Sequence, residues 1–284
     1  LLAGGCVRDM LLGLRSSDDD VDTAATPRDG KRLCRRVRLV GAKFGVAMVL
    51  HQGRNIEVTT FRSDESYSDG RRPDSVRFSG PREDALRRDF TINGMFCDPV
   101  KGEVIDYVGG RQDLAARVIR TIGDARERFG EDYLRMLRAV RFAVKLDFTI
   151  EPTTWRAICV SADKVGAISA ERIAAELEEI LTHPQRQRGA VLLAESGLCR
   201  AIFPTLEDAA LRKGVAVLGH LPDSVDAASA LAAFWADVST EAAMGFCRRL
   251  KFSNTQTRHI RFLLEHRGVL RDADMPLSQL KLLA

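Results

Sequence analysis

Three acidic side chains alternate with other residues near the start of the chain, at Asp18, Asp20 and Asp22. In a strand, side chains two positions apart point to the same face, so a strand here would bring the three carboxylates together. Carboxylates at that spacing repel one another unless a cation lies among them, and Mg²⁺ binds oxygen ligands of this kind. The alternative is a solvated acidic turn, because Asp is disfavoured in strands and frequent at helix caps. Taken alone, the acidic run favours the turn.

A glycine pair, Gly4-Gly5, precedes the acidic run and is followed by Arg8. The sequence predicts a turn at the glycines and a helix from Val7 to Leu14. Backbone N–H groups at such a turn and helix start suit phosphate oxygens. A Gly-Gly pair by itself is more often only a turn.

A β-hairpin is predicted where two apolar runs, 45–51 and 55–62, flank Gln52-Gly53-Arg54. Glu57 lies out of phase with its apolar neighbours in the second run. It is either an exposed strand residue or the third acid of a metal site, and exposure is the ordinary case.

The polar segment 63–80 is predicted to be a mobile loop. Gating over a nucleotide and disorder without function are equally supported as interpretations of this loop.

Polar and basic residues recur at Arg88, Asp89 and Asn93. Their side chains suit phosphate oxygens and a sugar hydroxyl, and they equally suit a salt-bridged helix start. Further along, helical spacing from Phe129 to Val144 places Asp132 beside Arg135. That pair is either a surface ion pair or a match to the hydrogen-bonding edge of a base.

The second half of the chain is predicted to be helical. A helix from Ser169 to Leu181 has Ser169 as its N-cap and carries Arg172 and Glu176 one turn apart. Four more helices are predicted, at 190–196, 225–236, 241–250 and 253–266, the last opened by a Ser253/Gln256 capping box.

Bulk properties narrow the class of protein. The 284 residues, with 45% hydrophobic content, suffice for about two domains. Strand-like runs before about residue 115 and helical patterns after it predict an α+β protein. A net charge of +4 and a pI near 8.8 are compatible with a polyanionic partner. The six cysteines are spread singly, as buried thiols of a cytoplasmic protein, and no apolar run reaches membrane-spanning length.

Taken together, the motifs resemble the bacterial branch of the tRNA nucleotidyltransferase and poly(A) polymerase family, within the polymerase-β-like nucleotidyltransferase superfamily. The resemblance covers residues 2–181 in order and is weaker beyond them. Its elements are Gly4-Gly5-x-x-Arg8-Asp9, Asp18-x-Asp20, Glu57-Val58-Thr59-Thr60-Phe61-Arg62, Arg71-Arg72-Pro73, Arg87-Arg88-Asp89-Phe90-Thr91-Ile92-Asn93, Asp106-x-x-Gly109-Gly110-x-x-Asp113-Leu114, Glu131-Asp132-x-x-Arg135 and Arg172-x-x-x-Glu176.

The resemblance implies a role for each of these motifs. Asp18 and Asp20 would hold two Mg²⁺ ions, with Glu57 as the third acid. The remaining implied roles are triphosphate binding by Gly4, Gly5 and Arg8, ribose and phosphate binding by Arg88, Asp89 and Asn93, reading of C or A by Asp132 and Arg135, and bracing of that helix by Arg172 and Glu176.

The implied activity is addition of C, C and A, from CTP and ATP, to the 3′ end of tRNA without a template. The motifs do not separate it from A-adding, CC-adding or poly(A)-adding enzymes, and a non-catalytic RNA-binding protein is the alternative outside the class. The expected organisation is a catalytic head at 1–115, a helical neck at 116–182, and an RNA-binding helical body at 183–284 that is truncated at its C-terminus. No oligomeric state is predicted.

The sequence departs from the family pattern at three positions. Asp19 stands between Asp18 and Asp20, where an apolar residue is usual, and Asp22 replaces a small or apolar residue. Gly94 follows Asn93 in place of the usual Ala. The first two departures raise the local negative charge and leave open whether Asp22 competes for metal.

Overall fold

A computed structural model describes residues 1–16, 20–41, 44–64 and 75–268. The chain divides into two compact units, Leu1–Ala167 and Ile168–Ala284. The three-part division inferred from the sequence stays a prediction. Asp18, Asp19 and the Arg71-Arg72-Pro73 motif lie outside the described residues.

Among the residues that the structure describes, strands occur only in the first unit. Within the described ranges they are β1 (Leu2–Ala3), β2 (Asp20–Thr23), β3 (Val37–Gly41), β4 (Val46–His51), β5 (Arg54–Thr60), β6 (Arg62–Asp64), β7 (Val76–Phe78), β8 (Met95–Asp98), β9 (Glu103–Asp106), β10 (Val118–Ile119) and β11 (Thr149–Ile150). A seven-stranded sheet has the order β3-β4-β5-β2-β1-β8-β9, and two further pairs, β6-β7 and β10-β11, lie outside it. The β2-β5 pair is parallel, whereas the other pairs of the large sheet are antiparallel.

Helices connect these strands and make up the second unit. They are α1 (Gly5–Leu11), α2 (Pro27–Leu33), α3 (Pro81–Leu86), α4 (Gly110–Ala116), α5 (Ala125–Glu131), α6 (Leu134–Leu146), α7 (Pro152–Ser161), α8 (Ala170–Thr182), α9 (Arg186–Glu195), α10 (Leu198–Ile202), α11 (Asp208–Leu218), α12 (Ala227–Phe234), α13 (Thr240–Arg249) and α14 (Asn254–Glu265). A mixed sheet followed by helices confirms the predicted α+β class.

The predicted hairpin is confirmed. β4 and β5 pair antiparallel with His51 opposite Arg54, and the two turn residues between them have positive φ, 48° at Gln52 and 80° at Gly53. Positive φ at both turn positions is the geometry that matches the twist of the flanking strands. The hairpin therefore fixes the register of Glu57.

Two sequence predictions need correction. The segment predicted to be a loop, 63–80, begins and ends in paired strands, because Ser63 of β6 lies opposite Arg77 of β7.

The helix predicted to run without a break from Phe129 ends at Glu131, and a second helix begins at Leu134. Asp132 is extended, and its Oδ1 accepts a hydrogen bond from the Leu134 N–H at 3.0 Å, so it caps the second helix.

The helices predicted in the second half are confirmed, including the Ser253/Gln256 capping box at the start of α14. Ser169 is at the N-cap position of α8, although its side chain makes no capping hydrogen bond.

Four of the six cysteines are buried, as predicted, whereas Cys34 is half-buried and Cys159 is exposed. In the described part of the chain, no helix is both long enough and apolar enough to cross a membrane.

A buried arginine organises the second unit. Arg186 is 2% exposed and donates to four backbone carbonyls, those of Leu181, Thr182, Leu221 and Asp223, at 2.7 to 3.2 Å. Two of these carbonyls lie at the C-terminal end of α8, where the helix has no partners of its own for them. The side chain therefore ties the end of α8 to the segment that follows α11.

Replacing Arg186 by Met is expected to lower the free energy of unfolding by about 3 kcal/mol, because buried carbonyls lose their donor. Urea denaturation measures the change. Arg200→Met is the control, because Arg200 is exposed and pairs with exposed Asp208, so it should change stability little. Equal effects of the two substitutions would contradict the structural role of Arg186.

Candidate active site

The acidic face of the large sheet is built by two neighbouring strands. In the parallel β2-β5 pair, Asp20 lies opposite Glu57 and Asp22 lies opposite Thr59. Paired residues point to the same face, and neighbouring strands lie about 4.8 Å apart. Asp20 and Glu57 are exposed. The structure thus brings together two of the three acids expected at a metal site, and the third, Asp18, lies outside the described residues.

Asp22 shares that face but differs in its surroundings. It is 3% exposed, and its Oδ2 accepts a hydrogen bond from Arg88 Nη2 at 2.5 Å. Burial raises the pKa of Asp22 to about 6, against the opposing effect of the Arg88 charge. A buried carboxylate of this kind is stabilised by any cation placed beside it.

Arg88 is held by several groups at once. Its Nε bonds Oδ2 of Asp84 at 3.2 Å, its Nη1 donates to the Asn93 carbonyl at 3.2 Å, and its guanidinium lies 5.2 Å from the centre of the Phe96 ring. Asp84 is fully buried. The Arg88 fork is therefore fixed beside Asp22 before any ligand arrives.

Gly4 allows this close approach. Its φ is +71°, and a Cβ added there would lie 2.6 Å from Arg88 Nη1. A side chain at this position would be strained by the backbone and would collide with the guanidinium. Gly5 starts α1, which begins two residues earlier than the sequence pattern predicted.

Arg8 and Asn93 meet on the other side of the glycine turn. Arg8 Nη1 donates to Asn93 Oδ1 at 2.7 Å, and Asn93 Nδ2 donates to Asp89 Oδ1 at 3.2 Å. Asp89 Oδ2 accepts from Arg138 Nε and Nη2 at 2.8 and 2.6 Å. Arg8 also lies over the Phe142 ring, 5.3 Å from its centre. Because Arg138 and Phe142 belong to α6, this chain of contacts joins the sheet region to that helix.

Asp89 is ionised throughout the physiological range. Burial alone would raise its pKa, but the Arg138 guanidinium and the hydrogen bonds from Asn93 and the Phe90 N–H lower it to about 2. A folded-state pKa below the ordinary value of 3.8 stabilises the protein above pH 4, and this stabilisation is lost as the pH falls toward 2.

Asp89→Asn is expected to lower the free energy of unfolding by about 2 kcal/mol at pH 7 and to reduce the loss of stability between pH 4 and pH 2. Urea denaturation at pH 7 and pH 3 measures both. Asp208→Asn, a change at an exposed carboxylate, is the control. An unchanged pH dependence in the Asp89 variant would contradict the assignment of this pKa.

The helix break places Asp132 and Arg135 differently from the prediction. Asp132 caps α6 from outside, whereas Arg135 lies in its first turn. Arg135 Nη1 bonds the Glu131 carboxylate and the Arg128 carbonyl. The two side chains thus lie together at the α5-α6 junction, with the Arg135 fork oriented by Glu131. Arg172 and Glu176 both lie on α8, in the second unit, where Glu176 is buried; their bracing role stays a prediction.

Sequence reasoning missed the partners of two acids. It placed Asp22 on the same face as Asp20, but no sequence signal identified Arg88, 66 residues away, as its partner. No sequence signal identified Arg138 as the partner of Asp89, because the two are 49 residues apart.

The donor set fits a hard divalent cation. Asp20 and Glu57 supply exposed carboxylate oxygens from one face, which are the ligands that Mg²⁺ prefers, whereas the Asp22 carboxylate is buried and bonded to Arg88. Within the described ranges, which exclude Asp18, no group of three or more Asp, Glu, His or Cys side chains is close enough to form a complete metal cluster.

Comparison with known proteins gives two family matches. Residues 1–120 match the model described as "Poly A polymerase head domain", and residues 147–210 match "Probable RNA and SrmB- binding site of polymerase A". Among curated proteins, the CCA-adding enzyme of Geobacillus stearothermophilus is 46% identical over 204 residues, which are 72% of this chain and 50% of that protein. The CCA-adding enzyme of Lactiplantibacillus plantarum is 39% identical over 278 residues, covering 94% of this chain and 68% of that protein.

Solved structures agree with these matches. The Bacillus stearothermophilus CCA-adding enzyme in complex with CTP is similar with a TM-score of 0.81 at 33% identity, covering 100% of this chain and 69% of that one. The Thermotoga maritima CCA-adding enzyme complexed with tRNA-CCA gives 0.77 at 25% identity, covering 100% and 70%. The chain spans about half the length of the first of the curated relatives.

Proposed function

Because the chain belongs to the tRNA nucleotidyltransferase and poly(A) polymerase family, we propose that it adds C, C and A, from CTP and ATP, to the 3′ ends of tRNA without a template. The observation that carries the proposal is the register of β2 and β5, which sets Asp20 opposite Glu57 on one exposed face. Relatives whose names specify CCA addition support this choice within the family.

We propose that Asp18, Asp20 and Glu57 hold the divalent metal. Nucleotidyltransferases of this family generally use divalent metals, and we propose two Mg²⁺ ions for this chain. Mg²⁺ held there would supply Lewis-acid activation of the RNA 3′ hydroxyl and charge neutralisation at the departing pyrophosphate. Asp22, which is buried and bonded to Arg88, is the alternative to Asp18 as the partner of Asp20.

The remaining residues position the nucleotide. The 3′ oxygen of the RNA attacks the α-phosphate, and the bond from that phosphorus to the bridging oxygen of the β-phosphate breaks, releasing pyrophosphate. The backbone at Gly4 and Gly5 and the side chains of Arg8 and Arg88 bind the phosphates, and Asn93 orients the ribose. Asp89 holds Asn93 in place through the bond described above.

Asp132 and Arg135 are proposed to select the base. A carboxylate accepts from the exocyclic amine that C and A share, and a guanidinium donates to ring acceptors. The position of both at the α5-α6 junction, on an element tied to Asp89 through Arg138, supports this role. No template is needed when protein side chains supply the pairing edge.

Nucleotide incorporation with Mg²⁺ tests the proposal. The substrates are tRNA lacking its 3′ CCA, tRNA ending in CC, and an unstructured RNA, each with CTP and ATP separately and together. Ordered addition of C, C and one A to the first substrate is the expected result. Addition of CC only, of one A to the CC-ending tRNA only, or of long A tails to every RNA would replace the proposal by the corresponding activity. No incorporation by folded protein that still binds tRNA would favour a non-catalytic RNA-binding protein.

A further inference from the structure

Basic side chains surround the β3 edge of the large sheet. This edge patch consists of Arg28, Lys31, Arg32, Arg35, Arg36 and Arg38. Residues 28–38 contain only one acid, Asp29, so the segment has a net charge of +5, larger than the +4 of the whole chain. The first three cations lie on α2, which packs against β3 and β4, and the others lie on β3 or just before it. This edge of the sheet is therefore strongly positive.

The edge patch is open to solvent. All six cations are exposed, and in the part of the chain that the structure describes none of them forms an ion pair. The one acid of the segment is already used, because the Asp29 carboxylate accepts hydrogen bonds from the N–H and the hydroxyl of Thr26. Six cations with a single acid over eleven residues repel one another, and a polyanion would relieve that repulsion.

Strand register connects the edge patch to the acidic face. Asp20 lies opposite Glu57, Glu57 opposite Met48, and Met48 opposite Arg38, so these four residues form one row across the sheet. Residues in such a row point to the same face. The apolar side chains that alternate with them on β4, at Ala47 and Val49, are buried on the opposite face. Arg38 thus shares the exposed face with the carboxylates.

Arg36 lies at the same edge. Arg36 directly precedes β3, and the Leu50 N–H donates to its carbonyl at 3.0 Å, so the pairing with β4 continues through this residue. Three strand spacings of about 4.8 Å separate β2 from β3, which puts the two arginines roughly 14 Å from Asp20 along the sheet. That distance corresponds to a few nucleotides of RNA.

We propose that the edge patch binds the phosphate backbone of the RNA a few nucleotides away from the 3′ end that reacts at the carboxylates. The inference rests on the proposed function for the identity of the polyanion. Arginine and lysine side chains bind phosphates by charge and by hydrogen bonds, without reading sequence. The edge patch therefore holds RNA of any sequence and sets the direction in which the strand leaves the active site.

The test is the double charge reversal Arg36→Glu/Arg38→Glu in the full chain. The affinity for a tRNA acceptor-stem hairpin and for a trinucleotide is measured by fluorescence anisotropy from low to high salt. Loss of two phosphate contacts should weaken hairpin binding roughly tenfold and reduce the slope of log affinity against log salt by about 2. Binding of CTP, which does not extend from the carboxylates to the edge patch, should stay unchanged, and the trinucleotide, which has only two internucleotide phosphates, should lose less affinity than the hairpin.

The matched control is Lys101→Glu/Arg111→Glu, which makes the same charge change at the opposite, β9 edge of the sheet. Both side chains are exposed. Equal losses of hairpin affinity in the two double variants would contradict the proposal, because they would indicate only a general effect of net charge. The neutral variant Arg36→Gln/Arg38→Gln, with a melting curve for each protein, separates loss of contacts from edge-strand unfolding. The neutral variant should lose affinity for the hairpin, but less than the charge-reversed variant does.

The remaining outcomes separate the edge patch from the proposed function. Wild-type protein that adds C, C and A, together with charge-reversed protein that binds the hairpin normally, would overturn the inference and leave the function intact. Wild-type protein that binds the hairpin through the edge patch but incorporates no nucleotide would support the inference and overturn the proposed function. Charge reversal that abolishes binding to vesicles of anionic lipid while leaving hairpin affinity unchanged would assign the edge patch to a membrane surface and overturn the RNA assignment.

Discussion

Asp20→Asn is expected to lower the rate of nucleotide incorporation by about 10³-fold or more, because a metal-binding carboxylate contributes several kcal/mol of transition-state stabilisation. Asp18→Asn and Glu57→Gln are expected to follow it. Asp22→Asn separates the two assignments of the aspartate pair: a small effect at Asp18 with a large one at Asp22 would identify Asp20 and Asp22 as the pair. Single-turnover incorporation of CTP over a range of Mg²⁺ concentrations measures both rate and metal dependence.

Folding has to be separated from chemistry in this series, since Asp22 is buried and bonded to Arg88. Urea denaturation of each variant gives its stability, and anisotropy with tRNA gives its binding. Glu103→Gln, at an exposed acid on β9, is the matched control and should behave as wild type. Normal incorporation by stable Asp20→Asn protein would contradict the metal assignment altogether. A large effect at Asp18 with a small one at Asp22 would support the pair expected from sequence.

The strand phase on the acidic face could be predicted from sequence, but the partners of its residues could not. Once the segment is a strand, alternation places Asp20 and Asp22 on one face, although the acidic run taken alone favours a turn. What distinguishes them is tertiary: Asp20 faces solvent, whereas Asp22 is buried against an arginine 66 residues away. A local pattern contains no information on contacts of that range, so Asp22 was interpreted as a departure from the family pattern.

The break between α5 and α6 escaped prediction for a local reason. The apolar residues from Phe129 to Val144 keep helical spacing through the break, so periodicity alone indicates one helix. Asp favours helix caps over helix interiors, and Asp132 caps α6 in the structure. The residue type at position 132 therefore indicated a helix cap, but the periodicity of the apolar residues favoured one continuous helix. The hairpin at Gln52-Gly53, where turn residues and periodicity agree, was predicted correctly.

This break bears on the proposed choice of nucleotide, because it determines where Asp132 and Arg135 lie at the α5-α6 junction. Arg135→Ala is expected to reduce discrimination of CTP and ATP against UTP and GTP by roughly 5- to 150-fold, the equivalent of 1 to 3 kcal/mol for one bidentate contact. Arg135→Lys keeps the charge but not the planar fork, so it should retain binding and still lose selectivity. The ratios of kcat/KM for the four nucleotides, measured on tRNA lacking CCA, provide the test.

Substitution of Glu131 distinguishes orientation of the Arg135 side chain from direct contact with the base. It accepts hydrogen bonds from both Arg135 and Arg128, so it fixes the direction of the Arg135 fork without itself being needed to pair with a base. Glu131→Gln should therefore weaken selectivity less than Arg135→Ala does. Arg126→Ala, a change at an exposed arginine of α5, should leave the ratios unchanged. If Arg135→Ala lowers incorporation of all four nucleotides equally, Arg135 acts on the phosphates or on the fold, and selection of the base lies elsewhere at the α5-α6 junction.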